Sequence, residues 1–273
     1  MSTILLTGAN GFLGQALLED LTANHHVVTL CRQELPAGPN RSHYRGLFSS
    51  PDDLAQLDAH SIDAVVHLAA VTGGCSESDG MRVNVEGTRI LMRSLIDQGC
   101  RKFVNASSIA VVGLESPDFC PLSLPVPDEH PCLDQHGYGF SKYLMEELTR
   151  YYSRQIPALD VINLRLAAIY PDEQPPPKVN SSKPTPWSIA TLTQMSRSQA
   201  VSAFVRAVES PHRPGVRIIN TTSRQSWTEG PTLELLRQWW GETSLLEPLE
   251  SSENSHPALF DNSSLERELQ LSL

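Results

Sequence analysis

A tyrosine and a lysine four residues apart, Tyr138 and Lys142, lie in a segment with helical patterning. Residues at this spacing share one helix face, so the ammonium would lie one turn from the phenol. A nearby ammonium favours the tyrosinate and lowers the pKa of the phenol, which would make Tyr138 a general acid or base near neutral pH. Taken alone, the pair also fits a solvated helix surface.

Two serines, Ser107 and Ser108, follow the predicted strand Lys102–Ala106. In a parallel sheet this carboxyl end of a strand is where an active site opens. The alternative is that the two hydroxyls simply cap a turn. A serine at a strand end upstream of the Tyr138–Lys142 pair nevertheless favours a catalytic hydroxyl, because the two features occur together.

A glycine-spaced turn, Thr7–Gly14, directly follows the apolar run Ile4–Leu6 and precedes a helical pattern. Gly8 and Gly11 allow a tight turn and close approach of phosphate oxygens, and Gly14 lets the helix pack against the strand. This order of strand, turn and helix predicts a pyrophosphate site at the helix N-terminus. A glycine-rich turn without a ligand is the alternative.

The elements that position these residues alternate between strand and helix, which predicts an α/β fold with a doubly wound, Rossmann-type parallel sheet. The predicted strands are Ile4–Leu6, His26–Leu30, Asp63–His67, Lys102–Ala106, Asp160–Leu164 and Val216–Ile219. The predicted helices are Phe12–Leu21, Asp53–Leu57, Asn84–Gln98, Tyr138–Tyr152, Ala200–Val208 and Thr232–Trp240.

The character of the chain changes after Arg165. Pro171–Pro186 is rich in proline and predicts a substrate-side loop or a poorly ordered linker. Glu247–His256 is acidic and serine-rich, which predicts a loose segment. We therefore expect a dinucleotide-binding domain over residues 1–165 and a small C-terminal substrate-binding lobe over residues 166–273, interleaved with the sheet.

The composition limits the classes of function. The chain has 273 residues, a formal net charge of −10 and no basic block, which argues against nucleic acid as a partner. No apolar run is long enough to cross a bilayer, and the N-terminus lacks a secretion signal, so we expect a cytoplasmic protein without a membrane partner. Five scattered cysteines fit reduced thiols, and the Cys and His residues between Cys120 and His136 match no standard metal pattern, so no metal is expected.

Several segments together resemble the extended short-chain dehydrogenase/reductases of the NAD-dependent epimerase/dehydratase group, over nearly the whole chain with a weak patch from about Pro171 to Gln199. The matching segments are Thr7–Gly14, His67–Ala70, Asn84–Thr88, Ser107–Ser108 with Val111–Gly113, Tyr138–Lys142, Leu164–Leu166 and Phe260–Ser263.

The resemblance implies roles for several of the matching residues. Tyr138 is implied as the acid/base, Lys142 as the group that binds the nicotinamide ribose and lowers the pKa of Tyr138, and Ser108 as the hydroxyl that binds the reacting oxygen. Asn84 supports the site, although a helix cap is the alternative. The residues implied to bind the cofactor are Gly8, Asn10, Gly11, Phe12, Leu13, Gly14, Arg32, Leu68, Ala69, Ala70, Asn84, Tyr138 and Lys142. A homodimer through the helices Asn84–Gln98 and Tyr138–Tyr152 is also implied.

Departures from the family pattern refine the expected cofactor. NAD-preferring members carry an acidic residue at the end of the second strand, where this chain has Cys31 followed by Arg32. An arginine there can pair with a 2′-phosphate, which favours NADP. NAD stays possible, because Glu34 could reach the ribose hydroxyl.

Further departures concern the reaction and the substrate. Ile109 and Ala110 occupy the positions of the Asp–Glu pair that dehydratases use, so dehydration is disfavoured. The short segment after Tyr170 favours a small or sugar-like substrate over a sugar nucleotide. We expect an NAD(P)-dependent oxidoreductase that reduces a carbonyl or oxidises an alcohol. An epimerase that oxidises its substrate transiently is the main alternative, and a non-catalytic NADP-binding regulator is a third.

Overall fold

A parallel seven-stranded sheet with helices on both faces forms the centre of the computed structural model, which describes residues 1–114, 116, 118–182 and 188–273. The strand order β3-β2-β1-β4-β5-β6-β9 reverses direction between β1 and β4. Ligands of such sheets bind outside the carboxyl ends of the strands at this point of reversal. The predicted Rossmann-type fold is confirmed. The strands of this sheet are β1 (Thr3–Thr7), β2 (His26–Cys31), β3 (Arg41–Arg45), β4 (Ala64–His67), β5 (Lys102–Ser108), β6 (Asp160–Leu166) and β9 (Gly215–Thr221).

Along the chain, the helices alternate with the strands. A second, two-stranded parallel sheet pairs β7 (Ala168–Tyr170) with β8 (Gln194–Ser196). The α-helices are α1 (Phe12–Leu21), α2 (Pro51–Leu54), α3 (Glu77–Asp79), α4 (Thr88–Asp97), α5 (Gly137–Gln155), α6 (Ser188–Leu192), α7 (Arg197–Glu209), α8 (Thr232–Trp240), α9 (Glu247–Glu250) and α10 (Ser263–Leu269). A π-helix, Gly80–Gly87, joins α3 to α4.

Side-chain alternation along the strands builds a core on each face of the sheet. On β1, Ile4 and Leu6 pack with Phe204 of α7, while Leu5 packs on the other face with Leu91 of α4. A third apolar cluster, which includes Leu236 of α8 and Phe260, forms the core of the C-terminal part of the chain. In addition, β9 belongs to the main sheet and α7 packs on one face of it, so the C-terminal part of the chain also contributes to the main sheet.

Some predicted elements differ from those of the structure. The predicted helix Asn84–Gln98 begins in the π-helix and becomes α-helical at Thr88. The expectation that Glu247–His256 is loose is wrong at its start, because α9 buries Leu249 against the third cluster. The sequence reading missed β3, β7, β8, α3, α6 and α10, which are short or polar.

The described part of the proline-rich segment is fixed against the C-terminal part of the chain. The indole Nε1 of Trp227 donates to the carbonyl of Pro176 at 3.0 Å, and that of Trp239 donates to Ser181 at 3.0 Å. The backbone N–H of Val179 donates to the carbonyl of Trp227 at 2.9 Å. Up to residue 182, this segment is therefore a docked loop rather than a loose linker, and residues 183–187 lie outside the described residues.

Across the described ranges, no helix combines the length and the apolar character that crossing a membrane requires.

Candidate active site

The glycine turn brings the end of β1, the start of α1 and the loop after β4 into close contact. Gly8 has a φ of +75°, and a Cβ atom there would lie 2.8 Å from the backbone nitrogen of Ala69. A Cβ on Gly14 would lie 2.1 Å from the carbonyl oxygen of Gly8. The N-cap of α1 is Gly11, which has no side chain to cap the helix. The first-turn N–H groups are therefore available to an anion at this position.

A cleft of about 510 Å³ opens beside this turn at the reversal point of the sheet. Its walls come from the glycine turn, the ends of β2 and β3, the loop after β4 and the π-helix. Seven predicted cofactor residues line it: Gly8, Asn10, Gly11, Arg32, Leu68, Ala69 and Ala70. A dinucleotide fits this site, because its pyrophosphate would meet the backbone N–H groups of the turn. Glycine is required in this turn, since added Cβ atoms would clash with its backbone.

Two further parts of the chain, beyond the predicted cofactor residues, line the cleft. One is Gly46–Ser49, which follows β3, and the other comprises Val71, Thr72, Arg82 and Val83. Gly46–Ser49 could have been found from the strand Arg41–Arg45, but the polar composition of that edge strand hides it. Arg82 gave no signal, because its approach to the cleft depends on the π-helix.

Two predicted cofactor residues, Phe12 and Leu13, point their side chains elsewhere. The guanidinium of Arg197 lies 5.1 Å from the centre of the Phe12 ring. Leu13 packs against two apolar clusters of the core. Any contact of these two residues with an anion at the turn would therefore run through their backbone N–H groups.

Ser108 ends β5 and caps the 3₁₀ turn Ile109–Val112, where its Oγ accepts a hydrogen bond from the N–H of Ala110 at 3.1 Å. Because this bond uses a lone pair, the hydroxyl proton of Ser108 remains to be donated. The first turn of α5 packs directly on this 3₁₀ turn, since a Cβ on Gly139 would lie 2.5 Å from the carbonyl oxygen of Ala110. The structure thus brings Ser108 next to the segment that carries Tyr138.

Lys142 lies one turn below Tyr138 on α5, as the spacing predicts. Its Nζ is 5.9 Å from the centre of the Tyr138 ring and donates to the carbonyl of Ala106 at 2.7 Å. Burial lowers the pKa of Lys142 to about 8, while the negative charge of Glu146 opposes that shift. The solvated surface pair is therefore excluded for Lys142, which is 4% exposed.

Asn84 lies in the π-helix and joins the loop after β4 to α5. Its Oδ1 accepts from the N–H of Val71 at 2.9 Å, and its Nδ2 donates to the carbonyl of Val71 and to the Oγ of Ser141. The Ser141 hydroxyl in turn donates to the carbonyl of Tyr138 at 2.7 Å. Asn84 is thus a link between two walls of the site and not a helix cap. A π-helix at a functional site is a recurring feature, because its wider turn redirects one side chain.

His67 is buried at the end of β4. Its Nδ1 lies 2.7 Å from the Oγ1 of Thr7, and its Nε2 lies 3.0 Å from the Oγ1 of Thr88. Thr88 already donates its proton to the carbonyl of Asn84, so the Nε2 of His67 must be the donor to Thr88. Burial, assisted by the charge of Lys142, lowers the pKa of His67 to about 3, so the ring is neutral.

A buried ion pair that sequence reasoning missed lies beneath the site. Arg165 of β6 binds both carboxylate oxygens of Glu146 of α5, at 2.9 and 2.8 Å. The hydroxyl of Ser107 donates to the Oε1 of Glu146 at 2.6 Å, and the Nη1 of Arg165 donates to the carbonyl of Asp128. Arg165 lies in the matching segment Leu164–Leu166, but only the tertiary packing places it against Glu146.

Other residues with possible functional roles are engaged elsewhere. Arg197 lies 3.7 Å from Asp172 and 3.8 Å from Glu173, and Arg224 pairs with Glu266 at 2.9 Å. Their charges are thus balanced locally, which does not favour binding of an anionic substrate. Among the described residues, no three His, Cys, Asp or Glu side chains are grouped to hold a metal ion.

The sheet, the glycine turn and the cleft define an α/β protein of the dinucleotide-binding class. Residues 4–202 match the NAD dependent epimerase/dehydratase family, and the chain belongs to this family. The resemblance to extended short-chain dehydrogenase/reductases is therefore confirmed.

Curated relatives include dehydrogenases and epimerases. The D-erythronate dehydrogenase of Haemophilus influenzae is 31% identical over 196 residues, which cover 66% of this chain and 58% of that protein. The UDP-glucose 4-epimerase of Drosophila melanogaster is 29% identical over 190 residues, which cover 60% of this chain and 52% of that protein. The chain thus spans between about half and three-fifths of the length of these relatives.

Solved structures show the same fold at low sequence identity. MoeE5 in complex with UDP-glucuronic acid and NAD is 21% identical, with a TM-score of 0.71 over 99% of this chain and 93% of that one. A short-chain dehydrogenase/reductase superfamily protein from Agrobacterium tumefaciens with bound NAD is also 21% identical, with a TM-score of 0.70 over 99% and 92%.

Proposed function

We propose that this protein is an NAD(P)-dependent oxidoreductase that reduces a carbonyl or oxidises an alcohol, with Tyr138 as general acid/base. The observation that carries the proposal is the buried Lys142 ammonium, held by the carbonyl of Ala106 one turn below Tyr138. A buried lysine in this position has a chemical purpose, because its charge lowers the pKa of the phenol.

Each of the three residues contributes one step at the reacting oxygen. Tyr138 delivers a proton to that oxygen in reduction and removes it in oxidation. Ser108 donates its free hydroxyl proton to the same oxygen, which orients the substrate and stabilises developing negative charge. Lys142 keeps the phenol acidic, and its remaining N–H groups would bind the ribose hydroxyls of the cofactor. A nicotinamide cofactor, when bound, supplies or accepts the hydride.

We assign the cofactor to the cleft beside the glycine turn and favour NADP over NAD. The N–H groups of Phe12, Leu13 and Gly14 would face the pyrophosphate at the N-terminus of α1. The residues that line the cleft include Arg32 and Arg82 but no Asp or Glu. Glu34, the alternative partner of the ribose, is exposed and pairs with His43 at 3.6 Å. Arg82 pairs with Asp79 at 2.8 Å, so Arg32 is the arginine of this groove that suits a 2′-phosphate.

The proposed substrate is a small or sugar-like alcohol or carbonyl compound, bound by the C-terminal lobe from residue 166 onward. The segment after Tyr170 is short, and its loop is docked against this lobe through Trp227 and Trp239. The D-erythronate dehydrogenase among the relatives is named for a substrate of this size.

Epimerisation by transient oxidation is the second candidate, because UDP-glucose 4-epimerases also align with the chain. Both reactions would use Ser108, Tyr138 and Lys142. A dehydrogenase changes the absorbance of its cofactor when substrate is added, whereas an epimerase shows no net change and keeps its cofactor bound. This measurement separates the two. Retention of both Tyr138 and Lys142 argues against a non-catalytic regulator.

The substitution Tyr138→Phe tests the proposal. It removes the proton donor but keeps the ring, so we expect turnover to fall by about 100-fold or more. Binding of NADP, measured by calorimetry, should stay within about twofold because the phenol proton does not hold the phosphates. The exposed Tyr151→Phe variant is the matched control on the same helix and should turn over normally. Undiminished activity in Tyr138→Phe would refute the proposed mechanism.

We further propose a cytoplasmic homodimer that buries the outer faces of the π-helix, α4 and α5. These elements carry three exposed large apolar side chains, Met81, Phe140 and Tyr151. Such side chains on packed neighbouring helices are typical of an interface between copies of one chain.

A further inference from the structure

The strongest unassigned feature is the buried Glu146–Arg165 ion pair at the end of β5 and β6. Glu146 is 0% exposed and Arg165 is 3% exposed. Ion pairs this deep are costly to desolvate and contribute little net stability compared with apolar side chains of the same size. Their presence directly beneath a catalytic candidate therefore calls for a reason other than stability.

The contacts of the pair show what it holds in place. On α5, Lys142 and Glu146 are four residues apart and bind adjacent residues of β5: Lys142 donates to the carbonyl of Ala106, and Glu146 accepts from the hydroxyl of Ser107. These two bonds attach α5 to the end of β5, where the next residue is Ser108. A shift of the carboxylate would therefore move the strand end and the lysine together.

The arginine extends the same network to the loop that leads into α5. Arg165 donates to the carbonyl of Asp128, and the carboxylate of Asp128 accepts from the backbone N–H of Asn220 on β9 at 2.6 Å. The pair thus ties together the carboxyl ends of β5, β6 and β9 around the first turns of α5.

We propose that Glu146, held by Arg165, is a positioning residue of the active site that fixes the Lys142 ammonium and, through Ser107, the Ser108 hydroxyl. This proposal rests on the proposed oxidoreductase function. Its closing experiment includes a measurement on the protein without substrate, so that the two can fail separately.

The charged groups around Lys142 make the prediction specific. On its own helix, Lys142 faces Tyr138 and Glu146, and from β4 and the loop after it come His67 and Cys75. The charges of Glu146 and Cys75 raise the pKa of Lys142 against the larger effect of burial. His67 stays neutral above pH 3, which leaves Glu146 as the permanent negative charge on α5 beside the lysine.

The same two strands provide a matched control at their other ends. Lys102 begins β5 and lies 3.4 Å from Asp160, which begins β6 and is 0% exposed. The sheet register pairs Lys102 with Asp160 and Ser107 with Arg165. Burial lowers the pKa of Lys102, and the charge of Asp160 opposes that shift. In this second buried pair a carboxylate likewise opposes the effect of burial on a lysine pKa, but the pair lies at the opposite end of the strands from the cleft.

The experiment is a lysine titration by NMR of the whole chain labelled at lysine side chains. The chain has four lysines, Lys102, Lys142, Lys178 and Lys183, so the signals can be assigned by substitution. In Glu146→Gln we expect the pKa of Lys142 to fall below its value of about 8 by about one unit, while Lys102 keeps its titration. In Asp160→Asn the pattern should reverse, with Lys102 shifted and Lys142 unchanged.

Turnover gives the second measurement. If Lys142 must be protonated, the alkaline limb of the kcat profile should move to lower pH by the same shift in Glu146→Gln, with KM changed less than kcat. Asp160→Asn should leave that limb in place. If no substrate turns over in the unaltered protein, the proposed function fails, while the lysine titrations still decide the role of Glu146.

Glu146→Gln leaves Arg165 unpaired in the core, which can prevent folding. The double variant Glu146→Gln/Arg165→Gln therefore serves as the second variant. It removes both charges and should still lower the pKa of Lys142. An unchanged Lys142 titration in either folded variant, or equal shifts of Lys102 and Lys142, would overturn the proposal.

Discussion

Arg32 lies at the end of β2 on the wall of the cleft, and in the proposed cofactor assignment its side chain favours NADP over NAD. Charge-assisted hydrogen bonds from arginine to phosphate contribute about 1.5–3 kcal/mol. We therefore expect Arg32→Ala to weaken NADP binding by about 10- to 100-fold and NAD binding by about threefold at most. Calorimetric titration with each cofactor measures this difference.

Arg45→Ala is the control for that prediction, because Arg45 is an exposed arginine at the end of the neighbouring strand β3 and does not line the cleft. It should leave both affinities nearly unchanged. Equal losses for NADP and NAD in Arg32→Ala would instead place this guanidinium on the pyrophosphate and remove the argument for NADP.

At the scale of elements, the π-helix Gly80–Gly87 positions the site through Asn84. Asn84→Ala would leave the half-buried N–H and carbonyl of Val71 without their partner, and such loss costs about 1–3 kcal/mol. We expect the free energy of unfolding, measured by urea titration, to fall by this amount. Asn180→Ala, which removes an exposed bond to Glu229, should change it by less than about 0.5 kcal/mol. Similar losses in both variants would mean that Asn84 does not link the two walls.

The elements also show what local sequence can predict. Helix α1 begins and ends as predicted, because the glycine turn and the apolar spacing are local signals. The register of the π-helix is not local: its Gly80 and the Gly137 of α5 are in close contact across the interface, where a Cβ on Gly80 would lie 2.8 Å from the carbonyl of Gly137. Strand β3 is polar and lies at the sheet edge, so the hydrophobic pattern does not reveal it.

The same distinction applies to the site. The sequence alone proposes roles for Ser108, Tyr138 and Lys142, because their types and spacings resemble a family motif. The pairing of Glu146 with Arg165 could not be predicted, since a charged residue is normally exposed and only the packing of α5 against β5 and β6 brings these two together. Arg82 reaches the cleft only through the unpredicted π-helix.

At the scale of the whole molecule, the exposed apolar residues of the π-helix and α5 predict a dimer. Tyr151 is 49% exposed on α5, so Tyr151→Lys would place a charge in the proposed interface, and desolvating an unpaired charge there is unfavourable. We expect light scattering coupled to size exclusion to give the mass of two chains for the unaltered protein and of one chain for this variant. Leu122 is 66% exposed in the loop before α5, and Leu122→Lys should leave the mass unchanged. A one-chain mass for the unaltered protein would exclude the dimer, and a two-chain mass for Tyr151→Lys would exclude this face as its interface.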